Sequence, residues 1–260
     1  MFTYQGRTAL VTGASSGIGQ AFARELARRG MSLILVARDE QALEQLATEL
    51  RSQHSTKVDV LPTDLSQPAA AERLHQRLVE KQLTVDLLVN NAGFMAYGHF
   101  DQIAPTENRA EIMLNTAAVV DLCHALLPDM LARQQGGIIN VASIVAFQPV
   151  PYMSVYAATK AFVLSFSLAL AEELRGRGVQ VVTLCPGPTA TQFFVRSKST
   201  TAVRVGNRTP DKVAATALGA LDRGRVLIVD GWKNTLLTFF SSVLPKTFTA
   251  YMAAKEVRPK

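Results

Sequence analysis

The sequence predicts an α/β fold in which seven parallel strands form a doubly wound sheet with helices on both faces. Short β-branched runs alternate with longer segments whose apolar residues recur at helical spacing. The short runs are apolar at nearly every position, which is typical of strands that are buried on both faces. Glycine-rich or polar clusters directly follow several of these runs, so we expect a functional edge where the strands end.

The seven predicted strands share β-branched residues and end at glycine, proline or polar residues. They lie at 8–13, 32–38, 57–64, 85–93, 136–143, 179–187 and 225–231. The first intervening segment carries Ile18, Phe22 and Leu26 on one helical face and ends at Gly30. Right-handed crossovers between such strands would align their carboxyl ends along one edge of the sheet.

Composition predicts one domain that covers residues 1–260. The chain has 260 residues, of which 48% are hydrophobic and 18% charged, and no linker or repeat interrupts it. Cys123 and Cys185 lack CxxC spacing, so we expect two reduced, buried thiols and a reducing compartment. The start lacks a basic and apolar leader, and no stretch reads as apolar and long enough to cross a bilayer. These observations favour a cytoplasmic protein.

Charge and histidine content exclude two other classes of partner. The formal net charge of +6 is modest and gives no argument for nucleic acid. The four histidines, at positions 54, 75, 99 and 124, form no metal-ligand spacing, so we expect no metal site.

The stretch "TGASSGIG" lies between the first strand and the first helix and places glycines at Gly13, Gly17 and Gly19. Free N–H groups at a helix N-terminus, next to glycines that let a ligand approach, favour a phosphate. The alternative is a tight turn that needs its glycines for geometry alone. This arrangement predicts a Rossmann-type site for a dinucleotide.

The end of the second strand predicts which dinucleotide is preferred. In "LILVARDE" the strand ends at Arg38, where a guanidinium can pair with the 2′-phosphate of NADP. Asp39 follows one position later, where it can cap the next helix. We therefore expect NADP(H), although a surface arginine at a strand end is the plainer alternative.

The stretch "VYAATKAF" places Tyr156 and Lys160 one helical turn apart. A buried tyrosine beside a snorkelling lysine would explain the spacing. The functional alternative is a phenol whose pKa the cation lowers until it exchanges protons near neutral pH.

Taken together, these motifs resemble the short-chain dehydrogenase/reductase family, in its shorter single-domain form. The matching segments are "TGASSGIG", "PTDLS", "NNAG", "IMLNTAA", "NVASIVA", "YAATK" and "CPGPTAT". The resemblance implies hydride transfer between a nicotinamide and a carbonyl or alcohol substrate. It implies that Tyr156 is the acid or base, that Ser143 donates to the substrate oxygen, and that Asn115 holds a water behind Lys160, which also binds the nicotinamide ribose.

The resemblance also implies a set of cofactor-binding residues, with Asp64 at the adenine and Thr189 at the carboxamide. The predicted set is Gly13, Ser15, Ser16, Gly17, Ile18, Gly19, Arg38, Asp64, Leu65, Asn91, Ala92, Gly93, Tyr156, Lys160, Pro186, Gly187 and Thr189. Asp64 alone could instead cap a helix near Ser66, and Asn90 could bridge two strands.

Two segments are expected to vary with the substrate. Residues at about 189–212 would form a substrate loop with basic side chains at Arg196, Lys198, Arg204, Arg208 and Lys212, either solvated or facing an acidic group. Apolar residues beside the motifs predict an apolar pocket. They are Phe94, Met95, Ile144, Val145, Phe147, Met153, Phe193 and Phe194.

The apolar C-terminal extension at about 232–254 has three interpretations: it packs on its own pocket, covers a partner subunit, or touches a membrane peripherally. The family resemblance implies a homodimer or homotetramer. The predicted function is an NADP(H)-dependent reductase or dehydrogenase acting on an apolar ketone, aldehyde, 3-oxoacyl or steroid-like substrate. The alternatives are a catalytically silent NADP(H)-binding sensor or scaffold, and a membrane-associated lipid or steroid reductase.

Overall fold

The computed structural model describes residues 2–191, 193 and 208–259. Within them a parallel sheet of seven strands forms the centre of the molecule. The strands are β1 (Thr8–Thr12), β2 (Ser32–Val36), β3 (Val58–Val60), β4 (Leu87–Asn90), β5 (Gly136–Val141), β6 (Val179–Cys185) and β7 (Leu227–Val229). Each lies inside one of the seven predicted runs, so the predicted α/β fold class is confirmed.

The strand order is β3-β2-β1-β4-β5-β6-β7, and every pairing is parallel. The chain therefore adds β2 and β3 on one side of β1, and then crosses back to add β4 to β7 on the other side. This reversal opens a crevice beyond the carboxyl ends of β1 and β4, which is where such sheets bind ligands.

Helices cover both faces of the sheet. They are α1 (Gly17–Arg28), α2 (Glu40–His54), α3 (Ala70–Glu80), α4 (Pro105–Ile112), α5 (Ala118–Ala132), α6 (Ser154–Glu173), α7 (Pro210–Asp222), α8 (Trp232–Val243) and α9 (Lys246–Val257). One buried cluster joins the sheet to α1, α2 and α7, and a second joins it to α3, α5 and α6. The two clusters bury the strands from both sides, which explains why the runs are apolar throughout.

Several local predictions are confirmed at the edges of these elements. The Asp39 side chain accepts a hydrogen bond from the backbone N–H of Ala42 at 3.0 Å and caps α2. Asn90 donates to Asn140 Oδ1 at 2.9 Å and bridges β4 and β5. Cys123 and Cys185 are free and buried, and burial raises the pKa of each thiol to about 12.

Two helical segments correct one expectation. Pro105–Ala132 and Ser154–Glu173 are long and apolar enough to cross a membrane by length and composition alone. The expectation that no stretch meets those criteria is therefore wrong. Both segments bury one face against the sheet, as with Leu122 of α5 and Val163 of α6, which is ordinary for core helices.

The C-terminal segments extend beyond the sheet. The α8 and α9 helices pack beside the carboxyl edge, with Ser241 donating to Gln148 Oε1 at 2.7 Å and Tyr97 donating to the Val257 carbonyl at 2.7 Å. The division into one domain at 1–260, a substrate loop at 189–212 and an extension at 232–254 stays a prediction. Much of that loop, at 192 and 194–207, lies outside the described residues.

Candidate active site

A cavity of about 1300 Å³ lies at the carboxyl edge of the sheet, over the crevice between β1 and β4. Every residue predicted to bind the cofactor lines it, with the exception of Gly19. Ser143, Tyr156 and Lys160 line the same cavity, whereas Asn115 does not. The structure thus brings residues separated by more than half of the chain into one site.

The glycine turn forms one end of this cavity. Gly13 and Gly17 have φ angles of +66° and +57°, a region that side-chain-bearing residues rarely adopt. The α1 helix begins at Gly17, where Ser16 makes no side-chain capping bond within the described part of the chain and the first turn holds no acidic residue. The first backbone N–H groups of α1 are therefore available to an anion in the cavity.

Gly19 has a packing role in this turn. A Cβ atom there would lie 2.2 Å from the Gly13 carbonyl oxygen, which is backbone and cannot move aside cheaply. The third glycine thus allows α1 to approach the end of β1, and it shapes the turn without lining the cavity.

The far end of the cavity holds a cation and an ordered carboxylate. Among the described residues, no hydrogen bond or ion pair engages the Arg38 guanidinium, which lines the cavity. Asp64 accepts from the Ser66 backbone N–H at 3.0 Å and from the Ser66 hydroxyl at 2.7 Å. Asp64 therefore orders the turn before α3 and also lines the cavity, so both interpretations of this residue are compatible with its position.

The "NNAG" segment is fixed by Thr12, a residue that the sequence analysis missed. The Thr12 hydroxyl accepts from the backbone N–H groups of Asn91 and Ala92, each at 2.9 Å, and donates to the Val89 carbonyl at 3.2 Å. The Asn91 side chain donates to the Thr12 carbonyl at 2.9 Å. The position of Thr12 at the last residue of β1, directly before the glycine turn, is the signal that could have identified it.

Ser143, Tyr156 and Lys160 meet at the carboxyl ends of β5 and β6. Ser143 precedes a 3-10 turn at Ile144–Phe147, and its Oγ accepts from the Val145 N–H at 3.3 Å, which leaves its proton for donation. Lys160 donates to the Val141 carbonyl at 2.8 Å, and its Nζ lies 5.8 Å from the Tyr156 ring centroid. The helical spacing predicted for Tyr156 and Lys160 is confirmed in α6.

Burial dominates the proton affinities of these two groups. It raises the pKa of the Tyr156 phenol, an effect opposed by a hydrogen bond with Ser143 and reinforced by the Glu111 carboxylate. Burial also lowers the pKa of Lys160 to about 8. The expectation that Lys160 pulls the phenol pKa down is therefore not met here, because desolvation outweighs the cation. Tyr156 keeps its proton at neutral pH, as a proton donor must.

Asn115 lies behind this group in an unexpected helical segment. Met113–Ala117 forms a π-helix between α4 and α5. Asn115 is fully buried, donates to the Phe94 carbonyl at 2.9 Å and to Thr159 Oγ1 at 3.2 Å, and accepts from the Phe94 N–H. These contacts fix the backbone after "NNAG" against α6. The role of Asn115 in holding a water stays a prediction.

Glu111 is a second residue that the sequence analysis missed. It lies one helical turn before Asn115, is fully buried, and its Oε2 accepts from the Ala96 N–H at 3.4 Å. Its Oε1 has no hydrogen-bond partner among the described residues. Burial raises its pKa to about 7, an effect that nearby Lys160 moderates. An acid four residues before a buried asparagine was the available sequence signal.

One side of the cavity is apolar, as predicted. Met95, Val150, Met153 and Ala253 form a buried cluster with the Tyr156 ring. Phe193 lies 5.7 Å from that ring, centroid to centroid. Phe94, Ile144 and Val145 also line the cavity, whereas Phe147 packs in another cluster. Phe194 lies outside the described residues.

The predicted basic loop is described only at its end. Arg208 pairs with Asp230, whose side chain is fully buried, so Arg208 does not belong to a free basic rim. Lys212 is exposed in the first turn of α7. The predicted positions Arg196, Lys198 and Arg204 lie outside the described residues. Within the described part of the chain no group of histidine, cysteine and acidic side chains could hold a metal ion.

A family model of the short chain dehydrogenases matches residues 7–202. The chain belongs to this family. The matched residues contain both the glycine turn and the Tyr156–Lys160 pair, so the family assignment and the geometry of the cavity concern the same part of the molecule.

Curated proteins and solved structures agree with this assignment. The chain is 33% identical to very-long-chain 3-oxoacyl-CoA reductase-A of Danio rerio over 92% of its own length and 76% of that protein. It is 36% identical to human 17-beta-hydroxysteroid dehydrogenase type 3 over 70% of its length and 58% of that protein. A Sphingobium yanoikuyae short-chain dehydrogenase in complex with NADPH superimposes with a TM-score of 0.82 at 34% identity, covering 92% of this chain and 96% of that one.

The short-chain dehydrogenase is thus an oxidoreductase that uses a nicotinamide dinucleotide. Its residues fit that cofactor: glycines with positive φ leave room beside the uncapped α1 N-terminus, and the cavity continues to Arg38 in one direction and to Tyr156 in the other.

Proposed function

We propose that this short-chain dehydrogenase is an NADP(H)-dependent oxidoreductase for apolar substrates. It reduces a carbonyl group to a CH–OH group, or oxidises the CH–OH group in the reverse direction. The observation that carries the proposal is the placement of the Tyr156 phenol between the Ser143 hydroxyl and an apolar cavity wall. A carbonyl oxygen that reaches both hydroxyls would leave the apolar part of its molecule against that wall.

The proton chemistry belongs to three side chains. Tyr156 donates its proton to the substrate oxygen as the carbonyl carbon gains a hydride, and it takes a proton back in the reverse direction. Ser143 stabilises the negative charge that develops on that oxygen by donating a hydrogen bond. Lys160, which has a pKa of about 8 and is therefore largely protonated at neutral pH, stabilises the phenolate left behind. When bound, the nicotinamide supplies or accepts the hydride.

Asn115 would complete this arrangement by holding a water behind Lys160, from which the phenolate is reprotonated. The π-helix at Met113–Ala117 supports this role, because such segments interrupt the regular helical bonding of the backbone. Asn115 and Lys160 also converge beside Gly93. A Cβ atom at this position would lie 3.0 Å from Asn115 Oδ1 and 3.6 Å from Lys160 Nζ.

Preference for NADP(H) over NAD(H) rests on Arg38. Its guanidinium lines the cavity at the end of β2 with no ion-pair partner among the described residues, so it is available to a 2′-phosphate. Asp39 points its carboxylate at the α2 N-terminus, where it caps the helix. The similar Sphingobium structure holds NADPH, which agrees with this preference.

The substrate class follows from the apolar wall and from the relatives. The names of the zebrafish and human relatives refer to a 3-oxoacyl-CoA and to a hydroxysteroid, two apolar molecules with a ketone or secondary alcohol. We therefore include apolar ketones, aldehydes, 3-oxoacyl thioesters and steroids in the proposed range.

The test is consumption of NADPH and NADH against a panel of these substrates. Tyr156→Phe should lower turnover by about 100-fold or more, because the proton donor is lost, while the NADPH dissociation constant stays within about twofold. Tyr152→Phe is the matched control, because Tyr152 does not line the cavity, and it should keep full turnover. Undiminished turnover in Tyr156→Phe would overturn the acid assignment. NADPH binding without turnover of any panel member would favour the silent sensor or scaffold.

The cofactor preference is tested at one position. Arg38→Asp should shift the ratio of kcat/KM for NADPH and NADH toward NADH by about tenfold or more, because a carboxylate repels a 2′-phosphate. An unchanged ratio would mean that another group carries the phosphate. Arg73→Asp, on the exposed face of α3, is the control for a general change of charge.

We also propose a homodimer or homotetramer in a reducing compartment such as the cytoplasm. Ile112, Phe162 and Leu168 are exposed on the helices around Asn115 and Tyr156, and Phe162 stacks on Phe166. This apolar face supports an interface there. The two free, buried cysteines support the reducing compartment.

A further inference from the structure

The C-terminal hairpin, defined as α8 and α9 at 232–257, carries its side chains in an inverted arrangement. On a helix of a soluble protein the apolar residues face the core and the polar residues face water. Here the buried positions are small and mostly polar, and the exposed positions are large and apolar. The buried residues are Thr238, Ser241, Thr249 and Ala253. The exposed ones are Trp232, Leu236, Leu237, Phe239, Phe240, Val243, Leu244, Phe248, Tyr251 and Met252.

This exposed surface is concentrated and not a random scatter. Of the fifteen large hydrophobic side chains that are exposed in the described residues, ten lie on the hairpin. Phe239 and Val243 are 62% and 69% exposed and lie one helical turn apart. Contiguous apolar surface of this kind marks a site of contact with a partner or a membrane.

Hydrogen bonds hold the hairpin in this orientation. Lys246 donates to the Phe147 carbonyl at 2.7 Å and to the Ser241 carbonyl at 2.9 Å, and Ser241 in turn donates to Gln148. The Tyr97 hydroxyl holds the end of α9 at Val257. These bonds use the polar face of the hairpin, so the apolar face remains outward.

The charge of the hairpin selects among partners. Residues 232–259 contain four basic side chains, at 233, 246, 255 and 258, against the single acid Glu256. Lys233 lies over the Trp232 ring and Lys255 over the Tyr251 ring, which places cations beside the two most amphipathic aromatic side chains of the surface. Two copies of this face in a symmetric dimer would bring like charges together. An anionic lipid surface would attract them.

We propose that the C-terminal hairpin is a membrane-docking surface, whose apolar side chains enter the interface of an anionic bilayer while Lys233 and Lys255 contact the headgroups. Tryptophan and tyrosine favour that interface because one end of each is apolar and the other is polar. The docking depends on the surface alone and does not rest on the proposed reductase function.

The hairpin also adjoins the cavity. Leu237 of α8 and Ala253 and Val257 of α9 line it, so docking would bring the cavity wall to the lipid surface. This position supplies a route by which an apolar substrate passes from the bilayer to Tyr156 without crossing water, a step that rests on the proposed function. The substrate class that this favours is a lipid-soluble ketone or alcohol.

The test is co-sedimentation of the full chain with vesicles of phosphatidylcholine, alone or in an equal mixture with phosphatidylserine. The wild type should bind the mixed vesicles, and more weakly at high salt. Phe239→Ser with Val243→Ser should weaken binding by about tenfold or more, because it removes apolar side chains from the interface. Val79→Ser with Phe100→Ser is the matched control at similar exposure elsewhere, 63% and 65%, and should bind as the wild type does.

Charge is tested separately by Lys233→Gln with Lys255→Gln, which should weaken binding to mixed vesicles and leave binding to phosphatidylcholine unchanged. Absence of wild-type binding, or equal loss in the control, would overturn the proposal. So would a dimer in solution that the Phe239 and Val243 substitutions dissociate, because the face would then be occupied by a second copy. NADPH turnover of a water-soluble substrate should stay constant in these variants, so failure of docking is distinguishable from failure of the reductase function.

Discussion

Burial controls the proton chemistry of three neighbouring side chains, Glu111, Tyr156 and Lys160. It raises the pKa of the two acids and lowers that of the lysine, so each is shifted toward its neutral form. With a pKa of about 8, Lys160 still carries its positive charge in most molecules at neutral pH, so it stabilises the phenolate as it forms. The site is set for proton donation at neutral pH.

Glu111→Gln tests this account through the pH dependence of stability. The folded state holds the Glu111 proton up to a pKa of about 7, against an ordinary value of 4.5. The contribution of Glu111 to the free energy of unfolding is therefore greatest below pH 4.5, and it is lost as the pH rises to 7. The loss amounts to about 3 kcal/mol at most. The glutamine variant should lack that loss, as measured by urea unfolding across this range.

Glu80→Gln is the control for the Glu111 variant, because Glu80 is an exposed acid at the end of α3. It should reproduce the wild-type pH dependence. If Glu111→Gln shows the same decline as the wild type between pH 4.5 and 7, another buried acid is responsible.

At the scale of residues, local motifs in the sequence predict which side chains meet, but not the environment around them. Ser143, Tyr156 and Lys160 all line the cavity, and their catalytic roles stay predictions. The direction in which the Tyr156 pKa shifts was predicted wrongly, because desolvation depends on side chains from α9 and the loop after β4 that pack around the phenol. Glu111 was missed since an acid in a helix is usually solvated.

At the scale of elements, the turn after β1 and the turn after β4 act as one unit. The Thr12 hydroxyl satisfies two backbone N–H groups of the β4 turn, and the Asn91 amide returns a bond to β1. Both turns line the cavity, so the geometry of one fixes that of the other.

Thr12→Val should separate these two turns. Valine has nearly the same shape but leaves the N–H groups of Asn91 and Ala92 without an acceptor, which costs about 2 kcal/mol or more. Unfolding in urea should show this loss, and the NADPH dissociation constant should rise because Asn91 and Ala92 line the cavity. Thr12→Ser keeps the hydroxyl and should retain cofactor affinity; an equal loss in both variants would assign the effect to packing.

The strands and most helices could be predicted from period and glycine placement, because each signal is contained within a few residues. The π-helix at Met113–Ala117 could not, since it depends on Asn115 finding Phe94 and Thr159 across the fold. The orientation of α8 was equally hidden. Its apolar side chains left three interpretations open, and none of them indicated that the helix would bury Thr238 and Ser241.

At the scale of the whole molecule, the cavity joins the two halves of the sheet. Its lining runs from Arg38 after β2 to Gly187 after β6, so a dinucleotide within it contacts both sides of the β1–β4 crevice. Binding should therefore stabilise the complete fold and not one part of it.

NADPH at 100 times its dissociation constant should stabilise the protein by about 2.7 kcal/mol, which corresponds to a rise in Tm of about 5–10 °C. A single, steeper unfolding transition is expected. NADH at the same concentration should give a smaller rise, because Arg38 has no phosphate to contact. Two separate transitions in the presence of NADPH would contradict the joint stabilisation of both halves.

The order of the elements along the chain has a consequence for biosynthesis. The α8 and α9 helices, which complete the cavity wall through Leu237, Ala253 and Val257, are translated after every strand of the sheet. While they are still in the ribosome, the nascent sheet can fold around its core, but its apolar wall at Met153 and Tyr156 stays open to the surroundings. A chaperone that captures exposed apolar surface therefore has its best opportunity before α8 and α9 emerge, and their emergence, rather than formation of the sheet, closes the site.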